Sequence, residues 1–305
     1  MKRGSAWALW GAGMLVLILD SPTALSGAAA GVELCLRTLI PGLFPFFVLS
    51  GMLTASLPRG GLAAAGIFGG YPVGAKNAAQ SYYSGQISKV DAERMAVLWN
   101  CPGPSFLFGV AGRMFTPGRI VLLWGIYLTS VAALWLLLPR CHCRTVPKNI
   151  TLPDAMQSAL KAMASVCGWV VLMRTVLAVL DRWALWLLPE WGRAAAAGLL
   201  ELTNGMVMLG AVEEKLRFVL AAGLLGFGGI CVAMQTMAVT GGLSMKRYFP
   251  GKILQGCICA ALSATAVQFP LPAYLCAALA VLAAASIVKL RKIENSYGNL
   301  RPVGV

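Results

Sequence analysis

The chain has 305 residues, 58% of them hydrophobic and only 12% charged, with a formal net charge of +14. A water-soluble domain of this length needs far more polar surface, so the soluble globular classes are excluded. The charge does not mark a nucleic-acid face either, because the basic residues sit in short loops between apolar runs, where they set membrane orientation, and no recognition module accompanies them.

The first predicted element is a span over 6–19, behind Met1-Lys2-Arg3. It imitates a secretory signal, but no prompt small-residue cleavage site follows, so an uncleaved span within 1–22 is expected. Residues 26–38, with Glu33 and Arg37, read as a helix lying in the membrane interface, and 39–57 as a second span. The apolar run 61–84 is broken by Gly69-Gly70-Tyr71-Pro72-Val73-Gly74. Ser88-Lys89-Val90-Asp91 has the pattern of a helix start, and that helix meets a second break at Cys101-Pro102-Gly103-Pro104. A span over 120–138 then ends in a basic loop with Arg140, Arg144 and Lys148.

The second half replays this order. A helix starts over 151–163 with Pro153 in its first turn, and a span follows over 166–180. The run 194–210 is interrupted at Leu202-Thr203-Asn204-Gly205, Glu213 opens a helix broken at Gly226-Phe227-Gly228-Gly229, and 253–267 spans again. Gly74 is as far from Gly205, to within a few residues, as Gly103 is from Gly229, which marks an internal repeat. The division is therefore a first span over 1–22, one repeat over 23–139, a second over 151–268, and a last span with a basic cytoplasmic tail over 271–305.

The expected fold is an all-α polytopic membrane protein of two inverted repeats with re-entrant hairpins and broken helices. If each interrupted hairpin re-enters and each broken span crosses, a repeat crosses an odd number of times, the second repeat is inverted, and about eight crossings result. The charges agree with this orientation. Lys89, Arg94, Arg144, Lys252 and Lys289 fall in inside loops, and Arg37, Arg113, Arg182 and Lys215 outside.

Helix breaks at membrane depth survive only within protein or beside a watery cavity, and paired breaks in two repeats point to a transporter site. The first break carries the most chemistry. Tyr71 and Gly74 stand in it, and Lys76 and Asn77 lie in the first turn of the following half-helix, whose start bears about +0.5 of a charge. A lysine there opposes its own helix dipole, and an anionic ligand would offset that. Asn100, Gly103 and Ser105 are the candidates at the second break, Glu201, Thr203 and Asn204 at the third, and Gly229 and Gln235 at the fourth. Glu201 is expected either to pair with Lys76 or to carry a coupling proton. Arg174 either faces a cavity or reaches the headgroups.

No nucleophile elbow, zinc helix or phosphate-cradling glycine loop appears, so neither an enzyme nor a cofactor is expected. Most of the nine cysteines lie in apolar segments as small hydrophobes. Cys141-His142-Cys143 lacks a fourth ligand nearby, and no metal site is expected.

The ordered set Pro45-Phe46-Phe47, Gly70-Tyr71-Pro72-x-Gly74-Ala75-Lys76, Gly103-Pro104-x-Phe106, Cys167-Gly168, Leu200-Glu201-x-Thr203-x-Gly205 and Gly228-Gly229-Ile230-Cys231-Val232-x-x-Gln235 resembles the YlbJ-type sporulation integral membrane proteins. These carry the nucleoside-recognition, or Gate, domain also seen in nucleoside transporters and spore maturation proteins. The resemblance implies an endospore-forming bacterium, the mother-cell membrane around the forespore, and transport of dipicolinate, a small planar dianion. The partners expected are that substrate and the lipid bilayer, with no nucleic acid. A second copy of the chain, or other sporulation membrane proteins, fits the same picture. The alternatives are a non-transporting scaffold in spore-envelope assembly and a nucleoside transporter.

Overall fold

The computed structural model describes residues 3–56, 66–138, 150–268 and 282. The expected last span, the basic tail and the Cys141-His142-Cys143 loop lie outside the described residues. All regular elements among the described residues are helical, as a membrane interior demands, since a helix satisfies its own backbone.

Helix α1 (Arg3–Leu19) meets α2 (Ser21–Leu34) at an elbow on Asp20, and α2 runs without a break through a π turn (Cys35–Leu39) into α3 (Ile40–Ser56). The structure thus corrects the separate interfacial helix expected over 26–38. Glycines explain the difference. A Cβ on Gly27 would come within 2.7 Å of Ala178, and one on Gly31 within 2.9 Å of Val171. This small-residue stripe lets α2 pack tightly along the partner helix α8 (Leu152–Trp183). Gly51 lies 3.8 Å by the same measure from Ala155, so the two long helices are antiparallel. Helix α8 starts on a capping box in which Thr151 Oγ1 accepts from Asp154 N and the Asp154 carboxylate accepts from Thr151 N. At its other end Trp183, Trp186 and Trp191 are exposed beside the Arg193–Asp181 ion pair at 2.7 Å, the composition of a membrane–water boundary.

Shorter, interrupted helices fill the stretches between and after these long helices. In the first half, α4 (Val73–Tyr83), α5 (Lys89–Trp99), the short α6 (Pro104–Gly109) and α7 (Pro117–Leu137) follow one another. In the second, α9 (Glu190–Leu200), α10 (Leu202–Met208), α11 (Glu214–Phe227), α12 (Gly229–Thr240) and α13 (Tyr248–Gln268) do so. Ser88 Oγ accepts from Asp91 N at 3.1 Å and caps α5. Removing that bond by Ser88→Ala is expected to cost about 1 kcal/mol, read as a lower Tm at unchanged expression. Glu213 caps α11, and the N–H groups of Lys215 and Leu216 hold its carboxyl below the ordinary range.

Five helical stretches among the described residues are long and apolar enough to cross a bilayer: Ser21–Leu49, Pro117–Leu137, Leu152–Trp183, Glu214–Thr240 and Tyr248–Gln268. α11 and α13 pack through another glycine seam, where a Cβ on Gly226 would stand 2.7 Å from Gly256 Cα. The chain is an all-α integral membrane protein.

Candidate functional site

Each of the four helix breaks has a local cause. Gly70, at φ 74°, ends a helical turn over 66–69, Tyr71–Pro72 is a cis peptide, and α4 begins at Val73. At the second break α5 stops at Asn100, and Gly103 precedes Pro104, the first residue of α6. At the third, a single extended residue, Glu201, separates α9 from α10, one position earlier than the glycine-containing run suggests. At the fourth, Gly228 at φ 88° ends α11 and Gly229 opens α12.

The four breaks meet. A Cβ on Gly103 would lie 3.1 Å from Gly70 Cα, and one on Gly229 would lie 2.9 Å from Gly198 O. The hydroxyl of Tyr71 donates to Leu225 O at 2.9 Å, across from the first repeat to the second. Between the breaks is a cavity of about 40 Å³, whose lining includes Gly70, Tyr71, Gly103, Glu201, Thr203 and Gln235. Leu39, Leu43, Phe106, Val166, Val170, Leu202 and Val232 complete the wall. At roughly 10–15 Å³ per water on this measure, the cavity is large enough for a few water molecules and no metabolite.

Five of the sequence-predicted site residues therefore line one space: Tyr71, Gly103, Glu201, Thr203 and Gln235. Glu201 is 2% exposed and accepts from Thr203 N at 3.0 Å, from Asn204 N at 2.7 Å and from Asn204 Nδ2 at 2.7 Å. It caps the start of α10, where charge and helix dipole favour each other. Asn204 is thus a partner of Glu201 rather than part of the cavity wall. Arg174 on α8 is half-buried, with its Cβ against Gly31 of α2.

The remaining predicted residues are placed elsewhere. Lys76 Nζ donates to Ser158 Oγ on α8 at 2.6 Å and does not line the cavity. The expected Lys76–Glu201 pair is not formed: Lys76 turns to α8, while Glu201 turns to the start of α10. Gly74 packs against the Trp99 carbonyl, and Gly229 against Gly198 and Leu202. Asn77 is half-buried on α4, outside the cavity lining. Ser105 lies in the first turn of α6, with its side chain outside the described residues.

Asn100 is fully buried and belongs to a polar cluster behind Tyr71. Its amide donates to Thr236 Oγ1 at 2.8 Å and Tyr248 OH at 2.7 Å. Its backbone carbonyl accepts from Lys252 Nζ at 2.6 Å. Lys252, which the sequence reading places in an inside loop, is 0% exposed. The helix that carries it begins at Tyr248, five residues before the expected span, and so draws Lys252 into the bundle. Gln255, one turn further on, accepts from Lys252 at 2.8 Å and donates to Ser130 at 3.2 Å. The spacing Tyr248, Lys252, Gln255 places three polar groups on one helix face, and that pattern is the signal the sequence offered.

A second cleft of about 250 Å³ adjoins the cavity and shares Leu39, Leu43 and Phe106 with it. Arg37 and Arg113 line this cleft, and Arg37 is paired with Glu33 at 3.1 Å.

No family model matches the chain and no solved structure matches it. Over 312 residues the chain is 24% identical to the sporulation integral membrane protein YlbJ of Bacillus subtilis (strain 168), covering 78% of this chain and 76% of that protein. The chain is accordingly an integral membrane protein similar to a protein of sporulation.

Proposed function

We propose that the chain is a secondary or facilitative carrier of a small anionic metabolite, dipicolinate in the reading that the sporulation resemblance implies. The observation that carries this is the convergence of four broken helices, two from each half, around one small cavity. Broken backbone at membrane depth is stable only where it is buried or faces polar space, and carriers place their substrate between two such halves. The antiparallel packing of α2–α3 on α8 supports an inverted relation of the halves. The cleft with Arg37 and Arg113 supports an approach route for anions, with Leu39, Leu43 and Phe106 between it and the cavity.

The test is uptake of labelled dipicolinate into proteoliposomes, with uridine and protein-free liposomes alongside. The expected result is saturable uptake of dipicolinate and none of uridine, and Lys89→Ala, on the exposed start of α5, should transport as the parent does. Saturable uridine uptake alone would move the reading to a nucleoside transporter. A folded, reconstituted protein that transports neither would leave the scaffold.

A further inference from the structure

We propose that Lys252 and the polar groups around it form an anion subsite, shut in this arrangement by the ring of Tyr71, which takes a carboxylate of the transported solute. The inference rests on the carrier reading and supplies the cation which that reading needs, because no lysine or arginine lines the cavity. Lys252 is 0% exposed, and its two hydrogen-bond acceptors, Asn100 O and Gln255 Oε1, are both neutral. Among the described residues no carboxylate forms an ion pair with it. Its third proton has the Tyr71 ring as neighbour, with the centroid 5.8 Å from Nζ. Neutral acceptors and a ring face only partly offset the burial of an ammonium group, and an anion would complete the balance.

A second observation points to a ligand at the same place. Two buried polar atoms in this region have no hydrogen-bond partner of good geometry among the described residues: Asn100 Oδ1, on the residue that Lys252 contacts, and the Tyr127 hydroxyl, on the far side of Tyr71 and Cys101. Native interiors leave few such atoms unsatisfied. The Asn100 amide oxygen offers an open acceptor to a water or hydroxyl that accompanies a bound carboxylate. The Tyr127 phenol sits within reach of Tyr71 and Cys101 and would have to turn from them to donate to that carboxylate.

Tyr71 links the two spaces. One part of it lines the cavity that holds Glu201, Thr203 and Gln235, and its ring lies against Lys252. Its hydroxyl donates to Leu225 O. If the Tyr71 ring swings away, the cavity and the Lys252 cluster become one larger site, with the cation at its far wall. The competing account makes Lys252 a structural cap on the carbonyl end of α5, which would alter stability and leave solute recognition untouched.

The experiment compares the parent with Lys252→Gln and Lys252→Arg, each as full-length protein checked by size exclusion. The readouts are dipicolinate uptake into proteoliposomes, its KM, and the rise of Tm that dipicolinate causes in detergent. Lys252→Gln is expected to lower uptake about 10- to 100-fold, the worth of one charged hydrogen bond, and to lose the Tm rise. Lys252→Arg keeps the charge and is expected to keep the Tm rise with a higher KM, because a planar fork replaces a compact ammonium. Folded Lys252→Gln protein with parental KM and Tm rise would overturn the subsite. If Lys252→Gln does not fold, Lys252→Arg decides: a lower basal Tm with unchanged KM is the structural cap. A parent without flux but with a dipicolinate-induced Tm rise that Lys252→Gln abolishes would sink the carrier reading and leave the subsite standing. A parent with neither flux nor Tm rise would sink both.

Discussion

Alanine at Gly74 or at Gly205 is expected to abolish the folded protein. A Cβ at position 74 would lie 1.9 Å from the Trp99 carbonyl oxygen, and one at position 205 would lie 2.1 Å from Gly198 Cα. Both obstacles are backbone, so no side-chain rotation relieves the clash and the helices must separate. Separation at either place opens a core cluster that includes Tyr71, Cys101, Leu202 and Met206. The cost should exceed the ~4–5 kcal/mol that marks an exceptional substitution, against a typical total stability of about 5–15 kcal/mol. Detergent-extracted Gly74→Ala and Gly205→Ala are expected to aggregate on size exclusion, whereas Gly210→Ala, with nothing within 4 Å of its new methyl, should behave as the parent. A monodisperse Gly74→Ala protein with parental Tm would mean that the close approach of α4 to the end of α5 is wrong.

Glu201→Ala is expected to be nearly as damaging, by a different route. It leaves the N–H groups of Thr203 and Asn204 and the Asn204 amide, all of which Glu201 accepts from, buried without a partner. Each such loss costs about 1–3 kcal/mol, so a drop of several kcal/mol in stability and loss of uptake should follow together. Glu201→Gln keeps one acceptor but turns an amide donor toward the Asn204 donors, and should fall between the two. Because Lys76 bonds to Ser158 instead, adding Lys76→Met should change stability independently, with the two effects summing to within about 0.5 kcal/mol. Partial recovery in the double variant would restore the ion pair and reject the cap.

Much of this architecture was legible in the sequence because Gly and Pro punctuate apolar runs in the same order twice. The breaks at Gly70, Gly103 and Gly228 stand where those residues predict, and the acid at membrane depth, Glu201, is at the centre. The chemistry of Glu201 was less legible: a glutamate directly at a helix start is a less common cap than Asp, Ser or Asn, so pairing with a distant cation looked more natural. The azimuth of Lys76 was not legible at all. In α4 nearly every buried residue is small, Gly74, Ala75, Ala78, Ala79 and Ser81, so no large apolar side chain fixes which face turns inward. Lys252 was lost for the opposite reason. A lysine at the edge of an apolar window ordinarily snorkels to the headgroups, and only the packing of α13 beneath the end of α5 shows that this one cannot. The continuity of α2 into α3 was available in Gly27-x-x-x-Gly31, a small-residue stripe that a helix lying flat in the interface does not require.

The residues common to the arginine-lined cleft and the central cavity, Leu39, Leu43 and Phe106, are all hydrocarbon, and this has an electrical consequence. Three hydrocarbon side chains offer no hydrogen bond to a file of water, and narrow apolar constrictions resist wetting. In this arrangement the contact offers no hydrogen-bonded file of water from the cleft into the cavity. On the carrier reading proposed above, such a contact would let a cell keep many copies in a membrane whose gradients it needs for other work.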